Sequence, residues 1–292
     1  MTGTRDGHDD GAPVGDACIP VDDPDDPRLA PFRLHERGLS SRPQRRDDRG
    51  DGWFLAEGDL VTERALATGC VPVAALVDRD RRPPVVAALL AAHVPVYAGD
   101  VALRRLATQN GVVNDLLTVF ERPARPSVAD LADRSTHLVV AEAVDNPVNI
   151  GSIVRNAAGL GWHGLVLDRT SADPLARRAL RVSMGHAVAF PHARTADLAA
   201  TMRQLVAADF VVVALTPGAG AVDLDDAAAA LDVGPGQVRR VAIVVGAERT
   251  GVTAEVLDLA AVRARIPMAV GVDSLNVAAA TAIACHVLRP RA

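Results

Sequence analysis

The residues best suited to chemistry are Asn149, Arg155, Glu248, Ser274 and Asn276, which lie in three polar clusters in the second half of the chain. Amide, guanidinium and carboxylate groups can together bind an anion, orient a hydroxyl group and stabilise developing negative charge. None of the eight histidines stands at a spacing typical of metal ligands. The sequence therefore predicts polar chemistry without a metal.

Each cluster, taken alone, also fits a structural role. Asn149 stands near the start of a predicted helix, where it could cap the backbone, and Arg155 could be a surface cation. Glu248 could lie in a solvated turn. Ser274 is a natural N-cap for the last helix, whose almost entirely apolar sequence predicts burial. A buried Asn276 would then need a polar partner.

The elements that carry these clusters alternate between strands and helices from His137 onward. This alternation predicts an α/β fold with a mostly parallel sheet and helices on both faces. Ligands bind at the carboxyl ends of the strands in such sheets, which is where the clusters fall. Strands are predicted at 138–144, 165–168, 187–190, 210–215, 241–245 and 262–266, and helices near 150–160, 175–182, 196–208, 227–231, 254–259 and 275–288.

A smaller α/β unit is predicted in the first half of the chain. Strands are expected at 53–56, 71–77 and 94–97, with helices at 60–68 and 85–92. An Asp-, Pro- and Gly-rich start is typical of disordered segments. The predicted organisation is a disordered acidic tail over 1–30, an N-terminal domain over 31–123, a linker over 124–134 and a second domain over 135–292.

Composition does not exclude a polyanionic partner. The net charge of −5 is concentrated in the tail, because residues 1–30 carry −6 and the remainder carries +1. Every basic side chain is arginine. The three cysteines form no CxxC pair, which is typical of a reducing compartment. The chain begins without an apolar leader, and its apolar runs are shorter than a membrane span, so a soluble cytoplasmic protein is expected.

The three clusters together resemble the SpoU family of the SPOUT methyltransferases, the group that includes TrmH. That family has an Asn…Arg motif, a Gly-x-Glu motif and an Ile-Pro-Met…Ser-Leu-Asn-Val motif, which occur here in order at residues 149–155, 246–248 and 266–277. The segment 181–186 also resembles the family's Ser-Met-Gly segment. The resemblance covers about 135–289. Residues 54–58 resemble, more weakly, the ribosomal-protein-like substrate domain of rRNA-modifying relatives. The resemblance therefore implies that the domain over 31–123 binds the RNA substrate and that the domain over 135–292 is the methyltransferase domain.

The resemblance implies an RNA 2′-O-ribose methyltransferase that uses S-adenosylmethionine. It implies a trefoil knot near the C-terminus and a homodimer. The implied substrate is rRNA or tRNA, and the extra N-terminal domain favours rRNA. Asn149, Arg155, Glu248, Ser274 and Asn276 would form the catalytic centre. The cofactor would contact, largely through backbone, Leu215, Thr216, Gly218, Gly246, Ile266, Met268 and Leu275.

Arg155 is a poor general base, because a guanidinium keeps its proton at any ordinary pH. We therefore expect Arg155 to grip a phosphate and stabilise the developing 2′-oxyanion, while the proton leaves through phosphate or water. The Arg-rich stretch 37–49 is either a solvated loop or a further contact with RNA phosphates.

Two rival functions remain open from the sequence. A non-catalytic RNA-binding paralogue would share the fold, although the intact polar residues of the three motifs disfavour it. A nucleotide-dependent oxidoreductase is the weaker rival, because the loop at 216–223 lacks the third glycine of a dinucleotide-binding motif.

Overall fold

The N-terminal domain is a five-stranded mixed sheet with short helices. The structure is a computed structural model that describes residues 18–40, 52–108, 114–218, 220–231 and 239–290. The elements of this domain are β1 Ile19–Pro20, α1 Ala30–Arg33, α2 Glu36–Leu39, β2 Trp53–Glu57, α3 Asp59–Ala67, β3 Pro72–Asp78, α4 Val85–Ala91, β4 Val96–Gly99, α5 Val101–Thr108 and β5 Leu116–Glu121. The sheet has the order β1-β4-β3-β5-β2, in which β5 runs antiparallel to both of its neighbours.

The second domain is a seven-stranded sheet in which every pair of neighbouring strands is parallel. Its elements are α6 Val128–Asp133, β6 His137–Ala141, α7 Pro147–Gly159, β7 Gly164–Leu167, α8 Arg177–Val182, α9 His186–Ala189, β8 His192–Arg194, α10 Leu198–Ala207, β9 Phe210–Leu215, β10 Val222–Asp223, α11 Leu224–Leu231, β11 Arg240–Val245, α12 Ala254–Leu259, β12 Val262–Arg265 and α13 Val277–Val287. The strand order is β10-β12-β9-β11-β6-β7-β8.

Helices cover both faces of this sheet, as the alternating sequence pattern predicts. Strand β6 is buried on both sides: Val139 and Ala141 face a core that includes α7, α8, α9, α11 and α13. Leu138 and Val140 face a second core with α6, α10 and α12. Because successive side chains of a strand point to opposite faces, a strand that is covered on both faces has a continuous apolar sequence.

Register places four strand ends at one edge of the sheet. Ala141, the last residue of β6, pairs with Val245, the last of β11. Leu215, the last of β9, pairs with Ala264 of β12. The segments that follow these strands therefore meet at the carboxyl edge, where α/β proteins bind their ligands.

The two domains share one hydrophobic core. Phe54, Val61 and Phe120 of the N-terminal domain belong to the same buried cluster as α7, α8 and α9. Arg122 forms a bidentate ion pair with Asp173, at 2.9 Å for both hydrogen bonds, and both side chains are buried. Separating the two domains at this point would leave a buried charge without its partner, which is strongly destabilising. The ion pair therefore holds the domains in one orientation.

Several local predictions are wrong. Residues 18–30 are ordered, because β1 pairs with β4 and Leu29 is buried, so the predicted disordered tail does not extend past residue 17; residues 1–17 lie outside the described part. Residues 187–189 lie in helix α9 and Phe190 is its C-cap, so no strand forms there; the strand forms at β8 instead. Helix α6 occupies half of the predicted linker, while the remaining domain bounds stay predictions. The predicted elements omitted α5 and β5.

Most of the Arg-rich stretch 37–49 lies outside the described residues. Among the residues that are described, no helix has the length and apolar character needed to cross a membrane.

Candidate active site

Three side chains from the three sequence clusters meet in one hydrogen-bonded group. Asn149 Nδ2 donates to Glu248 Oε1 at 2.6 Å. Asn276 Nδ2 donates to Asn149 Oδ1 at 3.1 Å and to the same Glu248 Oε1 at 3.2 Å. The structure thus joins residues that are separated by up to 127 positions in the chain. We call Asn149, Glu248 and Asn276 the polar triad.

Helix α7 leaves Asn149 available for the triad. Its N-cap is Asn146, whose side chain accepts from the Val148 backbone N–H at 2.9 Å, and Pro147 follows at the first helical position. The prediction that Asn149 could cap this helix is therefore wrong. Asn149 lies in the first turn and is buried, so its amide needs partners, which Glu248 and Asn276 supply.

Asn276 has two roles at the start of α13. Its Oδ1 accepts from the Ala278 backbone N–H at 2.9 Å, so it is the N-cap, while its Nδ2 donates to the triad. The prediction that Ser274 caps this helix is wrong; Ser274 is exposed. The predicted burial of the whole helix is also wrong, since Ala279 and Ile283 are exposed.

The loop after β11 that carries Glu248 is tightly built. An added Cβ on Gly246 would lie 2.1 Å from the carbonyl carbon of Gly251, so no side chain fits there. The loop closes on itself through the Gly251 N–H, which donates to the Ala247 carbonyl at 2.9 Å. A glycine is therefore required where two backbone segments approach each other this closely.

A buried carboxylate anchors the far end of this loop. Glu142, directly after β6, accepts from the Thr253 backbone N–H at 2.9 Å and from its hydroxyl at 2.7 Å. The Glu142 backbone N–H in turn donates to the Val245 carbonyl. Glu142 thus ties together the segments that hold Asn149 and Glu248. Glu142 is not among the residues predicted for the site. The sequence signal that points to it is a single acidic residue within an otherwise apolar run.

A cavity of about 420 Å³ opens beside the triad at the carboxyl edge of the sheet. Glu248 and Ser274 line it, together with all seven residues predicted to contact a cofactor: Leu215, Thr216, Gly218, Gly246, Ile266, Met268 and Leu275. Asp273 and Arg265 also line it and were not predicted. Arg265 Nε donates to Asp223 at 2.7 Å, which joins β12 to the edge strand β10.

Arg155 does not join the triad or the cavity lining. It lies on α7 six residues after Asn149, roughly 9 Å along the helix axis, and its side chain is exposed. Within the described part of the chain it makes no hydrogen bond or ion pair. Of the five predicted catalytic residues, the structure brings three into contact, places Ser274 at the cavity and leaves Arg155 on the surface.

His186, at the start of α9, feels the charge of Arg155. Its pKa is lowered by partial burial and by the positive charges of Arg64 and Arg155. His192 is fully buried, and burial lowers its pKa as well. In the described ranges, no three His, Cys, Asp or Glu side chains converge in a way that could hold a metal ion.

Comparisons with known proteins identify the relatives of this chain. The SpoU rRNA Methylase family matches residues 136–286. An uncharacterized tRNA/rRNA methyltransferase of Mycobacterium tuberculosis is 40% identical over 281 residues, which cover 96% of this chain and 93% of that protein. The 23S rRNA (guanosine-2′-O-)-methyltransferase RlmB of Bordetella pertussis is 31% identical over 160 residues, which cover 54% of this chain and 61% of RlmB.

Solved structures agree as well. The AdoMet-bound rRNA methyltransferase of Sinorhizobium meliloti superimposes with a TM-score of 0.74 at 25% identity, covering 93% of this chain and 97% of that one. With the family match over more than half of its length, this chain belongs to the SpoU rRNA methylase family of RNA methyltransferases.

Proposed function

We propose that this protein transfers the methyl group of S-adenosylmethionine to the ribose 2′-hydroxyl of a nucleotide in ribosomal RNA. The observation that carries the proposal is the polar triad beside a cavity whose lining includes all seven predicted cofactor contacts. The specificity for the 2′-oxygen is supported by the similarity to RlmB and by the fold it shares with a solved RNA 2′-O ribose methyltransferase (23% identical).

The cavity fits a nucleoside-sized cofactor. Its volume of about 420 Å³ lies within the usual range of small-molecule sites. Leu215, Ile266 and Leu275 offer apolar contacts, and the tight turn at Gly246 exposes backbone polar groups. These residues would hold S-adenosylmethionine, which supplies an activated methyl group on a sulfonium.

This chain's own residues then have three tasks. The triad fixes the ends of β11, α7 and α13 around the cavity, so the substrate oxygen meets a preorganised polar wall. Arg155 binds a phosphate of the RNA and stabilises negative charge on the 2′-oxygen as its proton leaves to phosphate or water. Arg155 lies on the surface of the single chain, so it contacts the phosphate and the 2′-oxygen only when RNA is bound there.

Other features of the family belong to this proposal. We infer a trefoil knot around the segment between β12 and α13, and a homodimer. The exposed apolar side chains of Val270 and Ile283 support a partner on this side of the molecule. A ribosomal RNA substrate also agrees with the expected cytoplasmic location.

The test is methyl transfer from tritiated S-adenosylmethionine to total RNA from cells that lack the protein. Mapping by resistance to alkaline hydrolysis reports 2′-O-methylation, and we expect a single protected site in rRNA. A protected site in tRNA would reassign the substrate. Cofactor binding by calorimetry with no transfer to rRNA, tRNA or pre-ribosomal particles would favour the non-catalytic paralogue, and absence of cofactor binding would refute the proposal.

A further inference from the structure

Positive side chains from both domains converge around α9. This short helix packs between α3 of the N-terminal domain and α7 of the second domain. Arg64 on α3 donates from Nη1 to the carbonyl oxygen of Met184, just before α9. Helix α7, which carries Arg155, also contacts α9, and the charge of Arg155 acts on His186. We call Arg64, Arg155 and His186 the junction patch.

The patch is built on a constrained backbone. An added Cβ on Gly185 would lie 3.1 Å from the Cα of Val61, so α3 and the turn before α9 are in direct contact. Met184 adopts a left-handed conformation, with φ of 55°, and its side chain is exposed. This conformation ends helix α8, because the Met184 N–H donates to the Arg181 carbonyl and the Gly185 N–H donates to the Leu180 carbonyl.

Charge in the patch is not neutralised by the protein. The side chains of Arg155 and His186 make no hydrogen bond or ion pair with any described residue. Glu57, the nearest carboxylate of β2, is buried between Arg177 and Arg181 and is already paired with both. Burial lowers the pKa of His186, and the positive charges of Arg64 and Arg155 lower it further.

We propose that the junction patch is a binding surface for the RNA phosphate backbone, with Arg64 as a positioning residue that holds the substrate strand against Arg155. This inference rests on the proposed function and assigns a residue, Arg64, to the RNA-binding role that the family resemblance implies for the N-terminal domain. Arg64 offers donors that are not used on Met184, and Arg155 offers its whole guanidinium. Two such groups on separate domains can contact neighbouring phosphates only because the shared core holds the domains together.

The test measures the affinity for a short fluorescein-labelled RNA hairpin over a series of salt concentrations. Each phosphate contact that is lost lowers the slope of log affinity against log salt by about 0.7 to 0.9. We expect Arg64→Gln, which keeps a donor for Met184 but removes the charge, to lower the slope by about this amount. It should raise the KM for RNA about tenfold and leave kcat and cofactor affinity unchanged.

Matched variants separate charge from structure. Arg64→Lys should keep the wild-type slope, because it keeps the charge. Arg203→Gln removes an exposed arginine from α10, on the opposite face of the sheet, and should change neither quantity. If Arg64→Gln misfolds, His186→Glu places a carboxylate in the patch without touching the Met184 contact, and it should weaken RNA binding more than His186→Gln does.

The outcomes distinguish this inference from the proposed function. The role of the patch would be overturned if Arg64→Gln kept the wild-type salt slope and KM. It would also be overturned if Arg64→Gln and Arg64→Lys lost RNA affinity equally. Neither result would affect the proposed function, because the wild type would still transfer methyl groups. Failure of the wild type to bind cofactor would overturn the proposed function, whatever the salt dependence of RNA binding.

Discussion

Asn149 and Glu248, 99 residues apart, share a 2.6 Å hydrogen bond at the carboxyl edge of the parallel sheet. The bond links the first turn of α7 to the loop after β11. Asn276 completes the group by donating to both residues. A single carboxylate oxygen thus accepts from two amides, so the charge on Glu248 organises three segments at once.

Replacing Glu248 by Gln should separate charge from geometry. The Gln oxygen can still accept from both amides, so the melting temperature should change little. The charge is lost, and kcat for methyl transfer should fall about 100-fold if the carboxylate contributes preorganised electrostatics. Asn149→Ala should lower both kcat and, by about 1–2 kcal/mol, the free energy of unfolding. Undiminished kcat in Glu248→Gln would rule out an electrostatic role for the carboxylate.

Arg155→Lys tests the shape of the cation. Lysine keeps the charge but not the planar fork that binds phosphate in a bidentate manner. We expect kcat/KM for RNA to fall about 100-fold. The circular dichroism spectrum should be unchanged, because Arg155 is exposed and has no partner among the described residues. Near-wild-type turnover in Arg155→Lys would show that charge alone suffices.

Gly246→Ala tests the backbone contact at the cavity. The new methyl group would meet the backbone of Gly251 at 2.1 Å, so the loop must move. We expect cofactor affinity to fall more than about tenfold and stability to fall by about 1–3 kcal/mol. Gly159→Ala at the end of α7 is the control: nothing lies within 4 Å of its Cβ, and calorimetry should find unchanged cofactor affinity. Equal behaviour of the two variants would contradict the steric argument.

Stability should fall in mild acid. Burial, and then the nearby His163, lowers the pKa of His137 to about 4. Between about pH 6.5 and pH 4 the unfolded chain binds a proton at this residue and the folded protein does not. The free energy of unfolding therefore falls as the pH falls through this window, by up to about 1.4 kcal/mol per pH unit. Urea unfolding at several pH values measures the slope, which should be smaller in His137→Gln. An identical slope would assign the effect to other groups, such as His192.

Sequence patterns located the second domain well because its strands are buried on both faces. The predicted strand at 210–215 and helix at 254–259 match β9 and α12 residue for residue. The prediction failed at 187–190, where a short apolar run has no periodicity that separates strand from helix. It failed again at residues 18–30, whose polar composition conceals Val21 and Leu29, two residues of the N-terminal core.

The sequence by itself determined which residue types stand at the ends of the strands, and therefore the family and the cavity lining. Only the tertiary structure decided how these residues are used. The capping of α7 by Asn146 releases Asn149, and the capping of α13 by Asn276 displaces Ser274 from that role. The docking of α3 beside α9 brings Arg64 near Arg155. Local propensity cannot choose between equivalent caps or between surface cations, because these choices depend on contacts between segments that are distant in the chain.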